Sequence, residues 1–222
     1  MAQKKLIERY LSNKTDSSRR PSFMPVPVFR YTQEIGLEFG IGALYSTYLD
    51  RKDLTNRSSN FSTVLSASTK GQYNISLKGD VWTKQNTHHY IAEVRFKRMP
   101  FNFYGVGNET LAANEDRLIQ GYAKVGLEAE KLMLPHMYTG LSVGFENYHF
   151  TDKEVGGIFT TDQTLIHKIG GSVFYAGISQ TYDTRNSNNY TTKGFYGKVT
   201  YQYAPDFWGG ENFRGSLIKA NV

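Results

Sequence analysis

The chain contains no cysteine, which excludes disulfides, thiolate metal sites and cysteine nucleophiles. It has no run of about 18 apolar residues, so no segment is long and apolar enough to cross a bilayer as a helix. Proline is scarce, at 6 residues, and apolar residues make up only 39% of the 222, less than a globular domain usually carries. Charge is not concentrated in blocks. The net charge is +6, but the densest basic pairs are Arg19-Arg20 and Lys4-Lys5, and the other cations are interleaved with Asp and Glu. That scatter argues against a nucleic-acid surface, which needs a basic stripe. Nor is there a secretory signal of the usual form, because Leu6-Ile7 is followed at once by Glu8-Arg9 and no apolar core follows. The expectation is a cytoplasmic chain, or one that starts after a removed signal or an upstream domain.

What the sequence does hold is glycine, tyrosine and phenylalanine, with 21, 16 and 14 residues. That profile suits a β-protein whose alternating strands hide their apolar surface from average hydropathy. Residues 1–24 form a polar lead-in. Leu6, Ile7, Tyr10 and Leu11 share one helical stripe, or else the segment is a frayed terminus. From Pro25 onward the period is two. The clearest strand is Tyr73–Trp82, where Tyr73, Ile75, Leu77, Gly79 and Val81 alternate with Asn74, Ser76, Lys78 and Asp80. The same alternation recurs over His89–Lys97, Ile119–Glu130, Met137–Glu146 and Phe195–Tyr203, and more weakly over Pro25–Tyr31, Leu37–Leu49, Phe61–Lys70, Lys168–Thr181 and Phe213–Val222. This predicts about ten strands, many as long as a tilted bilayer crossing requires.

The polar faces carry charges of both signs in mid-strand: Lys78 with Asp80, Glu93 with Arg95, Lys124 with Glu128. A soluble sheet would present that face to water, and a membrane barrel would turn it to the lumen. Small residues on the apolar face (Gly79, Ala92, Gly121, Ala123, Ala129) favour lipid over a packed core. The longest connections, about 98–118 and 151–167, follow the fifth and seventh strands, as in a barrel with long loops on one side. Tyr45, Tyr48, Trp82, Tyr90, Tyr201 and Tyr203 lie near strand ends and form interfacial girdles or simply reflect β-propensity.

Three local motifs are more specific. Pro25, Pro27, Phe29 and Tyr31 lie in a first strand that lacks two backbone donors, which predicts an edge or a barrel seam. Phe101, Phe103, Tyr104, Gly105 and Gly107 form an aromatic loop with glycines for tight bends. Its Gly-Val-Gly lacks the third glycine of a dinucleotide fingerprint. Asp183, Arg185 and Asn186 begin a turn closed by Gly194, with Asp183 and Arg185 placed for a structural salt bridge.

Together these motifs resemble the BamA/TamA, or bacterial surface antigen, family of outer-membrane assembly proteins, most closely the Bacteroidetes-type group without periplasmic POTRA domains. Asp183, Arg185 and Gly194 match the family's turn between strands 8 and 9. Asn186 stands where a second Asp is common, and Thr191 or Thr192 where a Pro is usual. The resemblance implies an all-β, antiparallel transmembrane β-barrel over residues 25–222, with about ten of sixteen strands present and the C-terminus truncated. The lumenal Val-Arg-Gly-Phe-like motif and a terminal aromatic strand are not found. By resemblance, the function is insertion or translocation of proteins, or of lipid, at the bacterial outer membrane through a weak seam. The implied partners are outer-membrane lipid and nascent outer-membrane proteins. The alternatives are a passive pore or structural barrel, and a soluble β-sandwich binding module.

No catalytic residue, cofactor, metal, nucleic acid or small-molecule substrate is expected. His88 and His89 are adjacent, so on a strand they face opposite sides, and His136, His149 and His167 form no helical metal motif. No Gly-x-Ser-x-Gly elbow is present, so the chain is not expected to be an enzyme.

Overall fold

A strand leaves every second backbone group to be paired by a neighbour, and this chain supplies the neighbours in order. In the computed structural model, which describes residues 19–108, 110–152, 156–166, 168–207 and 212–222, ten strands form one antiparallel sheet in sequential order. They are β1 (Ser22–Thr32), β2 (Gly36–Thr47), β3 (Ser59–Ser68), β4 (Tyr73–Trp82), β5 (His88–Phe103), β6 (Asp116–Leu134), β7 (Met137–Asp152), β8 (Gly170–Asp183), β9 (Tyr196–Ala204) and β10 (Gly215–Asn221). Among the described residues helix is limited to one turn, α1 (Ile158–Thr161), and two 3-10 turns at Lys84–Asn86 and Ala112–Asn114. The described strands make one sheet, so no second sheet faces it as in a sandwich. The expected N-terminal stripe of Leu6, Ile7, Tyr10 and Leu11 lies outside the described residues, as does His167.

The register carries each row of side chains across the sheet on one face. Trp82, His89, Glu130, Gly140, Ser179 and Thr200 are successive partners, and so are Val81, Tyr90, Ala129, Leu141, Ile178, Tyr201 and Ile218. The first row is covered and the second is open. Glu130 is 2% exposed and Leu141 is 68% exposed. A sheet buried against a protein core shows the opposite arrangement.

The covered face is concave. At one rim the β2–β3 loop meets the β8–β9 loop: Ser58 Oγ donates to Asn188 Oδ1 at 3.0 Å, and Asn60 Nδ2 donates to Asn189 Oδ1 at 2.8 Å. At the other rim Arg117 donates to the Glu34 carbonyl in the β1–β2 turn at 2.9 Å. Strands far apart in the order are thus brought together across the hollow. Closure into a barrel is not reached among the described residues, because β1 pairs only with β2 and β10 only with β9.

Several expectations are corrected here. Phe101 and Phe103 belong to β5 rather than to a loop. Its ladder with β6 runs on to Phe103 opposite Asp116, because inward rings can pack on Phe150 and Phe159. Trp82 is no interfacial girdle residue. It is 3% exposed, on the inward face. β1 is an edge strand: all of its 11 residues have β2 partners, so the missing proline donors do not break that register, and its other side has no partner strand among the described residues. Long connections are not confined to one rim, because residues 48–58 and 184–195 are also extended loops.

Candidate functional site

The rim where the β2–β3 and β8–β9 loops meet holds a buried ionic and aromatic cluster. Asp183, the last residue of β8, has a fully buried side chain. It accepts from Arg185 Nε at 2.9 Å, Arg185 Nη2 at 2.7 Å and the Arg185 amide at 3.0 Å. Arg57, from the β2–β3 loop, donates to Asp183 Oδ2, the oxygen that Arg185 Nη2 also reaches, and to the Asp183 and Arg185 carbonyls at 3.3 Å. The bonds that Arg185 donates to Asp183 push its guanidinium above its ordinary range, holding it in the charged form. Its plane also lies 4.2 Å from the Tyr196 ring centroid, a cation–π contact.

A second layer lies one step further along the hollow. The Trp82 and His89 rings stack with centroids 3.8 Å apart, and Arg57 lies over the same indole at 4.7 Å. Tyr138 meets it edge-on at 5.5 Å. His89 Nδ1 is 2.6 Å from Glu130, and Nε2 is 3.1 Å from Asp80. Carboxylates only accept hydrogen bonds, so with both ionised the ring donates from both nitrogens and is a cation. Thr181 donates to Glu130 at 2.7 Å. Lys198 bridges Glu128 at 2.8 Å and Glu130 at 3.0 Å. Trp82 Nε1 is buried without a hydrogen-bond partner.

The turn that carries the motif is fixed by its own side chains. Asn186 Oδ1 accepts from the Thr192 and Lys193 amides, each at 3.1 Å, and its amide group donates to Thr192 Oγ1 at 2.9 Å. A carboxylate there could accept from the two amides but could not make the bond that Asn186 Nδ2 donates. Gly194 has φ +102°, and a Cβ there would run into the Thr184 backbone. Asp183, Arg185 and Gly194 thus form one unit, with the salt bridge expected between the first two.

The other motifs lie elsewhere. Phe101, Phe103, Tyr104, Gly105 and Gly107 are at the opposite rim. There Phe103 meets Phe159 at 5.6 Å, and Tyr104 donates to Glu115 at 3.2 Å. Gly105 and Gly107 have φ of +104° and +113°, values that call for glycine. Beneath them Leu118 and Asp116 are fully buried, and Asp116 accepts from the Phe159 amide at 2.9 Å. Pro25, Pro27, Phe29 and Tyr31 lie on the outward face of the edge strand β1, with Phe29 and Tyr31 strongly exposed.

Mid-strand charges pair both along and across strands. Glu93 does meet Arg95 at 3.0 Å, but Lys124 turns to Glu93 at 3.0 Å and Glu146 at 3.7 Å, while Glu128 takes Lys198. Arg57 and Lys198 were not singled out by the sequence, nor was His89 as part of a cluster. Arg57 lies in an aperiodic polar loop that gives no signal. Trp82 did give one, because parity puts it on the face of Lys78 and Asp80. A large aromatic there marks a covered polar interior. Among the described residues no group of three or more His, Asp or Glu side chains is placed to hold a metal. The cluster is chemically a clamp: it neutralises each buried charge and ties two distant loops together. No family model, curated protein or solved structure matches this chain.

Proposed function

We propose that the chain is an outer-membrane β-barrel protein of the BamA/TamA type, which assists insertion of client proteins at the membrane through a seam beside β1. The observation that carries this reading is the inverted sheet: its polar face is covered and its apolar face is open. Along β6 the outward residues run apolar from Ile119 to Ala129, between Arg117 and Lys131. Ten steps at ~3.4 Å make about 34 Å along the strand, or about 26 Å at a tilt of ~40°. That matches the ~25 Å apolar band of outer-membrane barrels. Across ten strands spaced ~4.8 Å apart, a band that tall covers about 1,200 Å², more than the ~300–600 Å² patches of soluble monomers.

The insertase step rests on β1, whose outer edge is unpaired among the described residues. A free edge can accept an incoming strand by main-chain pairing. A structural barrel is the second reading, favoured by the cluster that ties the β2–β3 loop to the end of β8 through Arg57 and Asp183. One experiment addresses both. The chain has no native cysteine, so a cysteine at Val28, paired with one in the facing strand of the full-length protein, can lock the seam in its own bacterium. Membrane-fraction recovery with loss of client assembly on locking supports the insertase. Unchanged assembly leaves the structural barrel. Recovery in the soluble fraction without detergent removes both.

A further inference from the structure

The two halves of the hollow differ in charge balance. Across β6–β9 each inward cation is matched: Lys124 lies between Glu93 and Glu146, and Lys198 between Glu128 and Glu130. Across β1–β5 the cations outnumber the acids. A cleft of about 450 Å³ opens there near the β1–β2 and β3–β4 turns. Arg30, Arg95 and Lys97 line it from the inward face and Arg98 from its rim, against the single carboxylate Glu38, four cations to one anion, a net +3. Glu38 is already committed, since Ser66 donates to one oxygen at 2.6 Å and Arg30 to the other at 2.5–2.9 Å. Arg95 shares Glu93 with Lys124, and Lys97 makes no ion pair among the described residues.

We propose that this cleft binds a phosphate-class anion. Arg95 and Lys97 are two residues apart on one face of β5, and their register partners on β4 are Ser76 and Asn74. Same-face neighbours on a strand are about 6.8 Å apart, a spacing that one tetrahedral oxyanion bridges with a charge-assisted hydrogen bond at each end. Arg95 offers a planar fork and Lys97 a point charge, both suited to phosphate oxygens. The Ser76 hydroxyl and Asn74 amide add neutral donors beside them. Half-burial of Lys97 and Arg95 keeps the site accessible while raising each interaction above its value in open water. The anion is either a free phosphate compound or the phosphate of a lipid headgroup. The proposal needs the concave face to be open to solvent but does not depend on the apolar face meeting a membrane.

The test uses purified full-length protein in detergent, titrated with inorganic phosphate and with pyrophosphate by calorimetry, at fixed ionic strength set with chloride. Saturable binding is expected. Arg95→Gln and Lys97→Gln should each weaken it about tenfold, the effect of losing one charge-assisted hydrogen bond. Lys84→Gln, which removes the same charge from a turn at the other rim, should leave it unchanged. Circular dichroism confirms that the variants fold. Vesicles with and without an anionic phospholipid form a second arm. Binding only to the anionic vesicles, lost in Arg95→Gln and Lys97→Gln, identifies the headgroup as the source. No binding in either arm, or equal weakening by all three variants, overturns the proposal.

Discussion

Removing the Asp183 carboxylate is the sharpest perturbation of the rim cluster. In Asp183→Ala, the two guanidiniums of Arg57 and Arg185 lose their only shared anion. The carboxylate is fully buried and the Arg57 side chain only 9% exposed. Arg57 must therefore stay buried as an uncompensated charge or pull its loop away from β8. Breaking a buried pair from one side costs about 3–5 kcal/mol. Arg185 contributes less, because it is more exposed and keeps its contact with Tyr196. A loss of about 3 kcal/mol is therefore expected, concentrated where residues 48–58 meet residues 184–195. Asp183→Asn keeps a neutral acceptor and should lose about half as much. The double variant Asp183→Ala/Arg57→Met should recover part of the loss, since the more deeply buried of the two orphaned guanidiniums is gone. Urea unfolding in detergent micelles measures the global change, and limited proteolysis of the 184–195 loop measures the local one. If Asp183→Ala stayed within about 0.5 kcal/mol of the parent, the range of an ordinary surface change, with unchanged proteolysis, the cluster would not be what joins the two loops.

Three further outcomes follow from the same geometry. His89→Ala leaves Glu130 buried and Asp80 half-covered without their shared donor, and should destabilise by about 2–4 kcal/mol; His89→Gln, which keeps a donor, should fall between it and the parent in the same urea titration. Gly194→Ala forces a positive φ on a side chain that meets backbone and should cost about 1–3 kcal/mol, whereas Gly71→Ala, with φ +80° but open space around it, should cost about 1 kcal/mol, as read by thermal gel shift. Leu141→Arg separates environments by size of effect: facing lipid it should cost about 2–4 kcal/mol, but facing water, at a site already 68% exposed, it should change stability by less than about 0.5 kcal/mol.

The strands were legible because a period of two is a local signal. Tyr73–Trp82 has the same limits in sequence and structure. β5 and β6 run further than the alternation suggested, because Met99, Phe101 and Phe103 pair onward with residues 116–120, where rim packing rather than parity decides. The turn residues Asp183, Arg185 and Gly194 were visible through their spacing, and their bond was expected. Arg57 was not visible, since it is brought to Asp183 by the curl of the whole sheet across a separation of 126 residues. Cross-strand charge pairing escaped the sequence for the same reason. Lys124 could be seen beside Glu128 on its own strand, but its partners Glu93 and Glu146 lie on β5 and β7, and only register places them there. Trp82 shows the cost of reading position along a strand without parity. Its place near a strand end suggested an interface, while its face put it inside.

The inverted sheet is tested most directly by which side chains of β7 touch lipid. Single cysteines at Leu141, Ser142, Val143, Phe145 and Glu146 can each carry an environment-sensitive fluorophore in the cysteine-free chain, reconstituted into vesicles containing brominated acyl chains. Strong quenching is expected at Leu141, Val143 and Phe145 and little at Ser142 and Glu146, a period of two in lipid contact. Emission typical of water at Leu141, Val143 and Phe145, with no quenching by brominated lipid, would be incompatible with a membrane-facing surface.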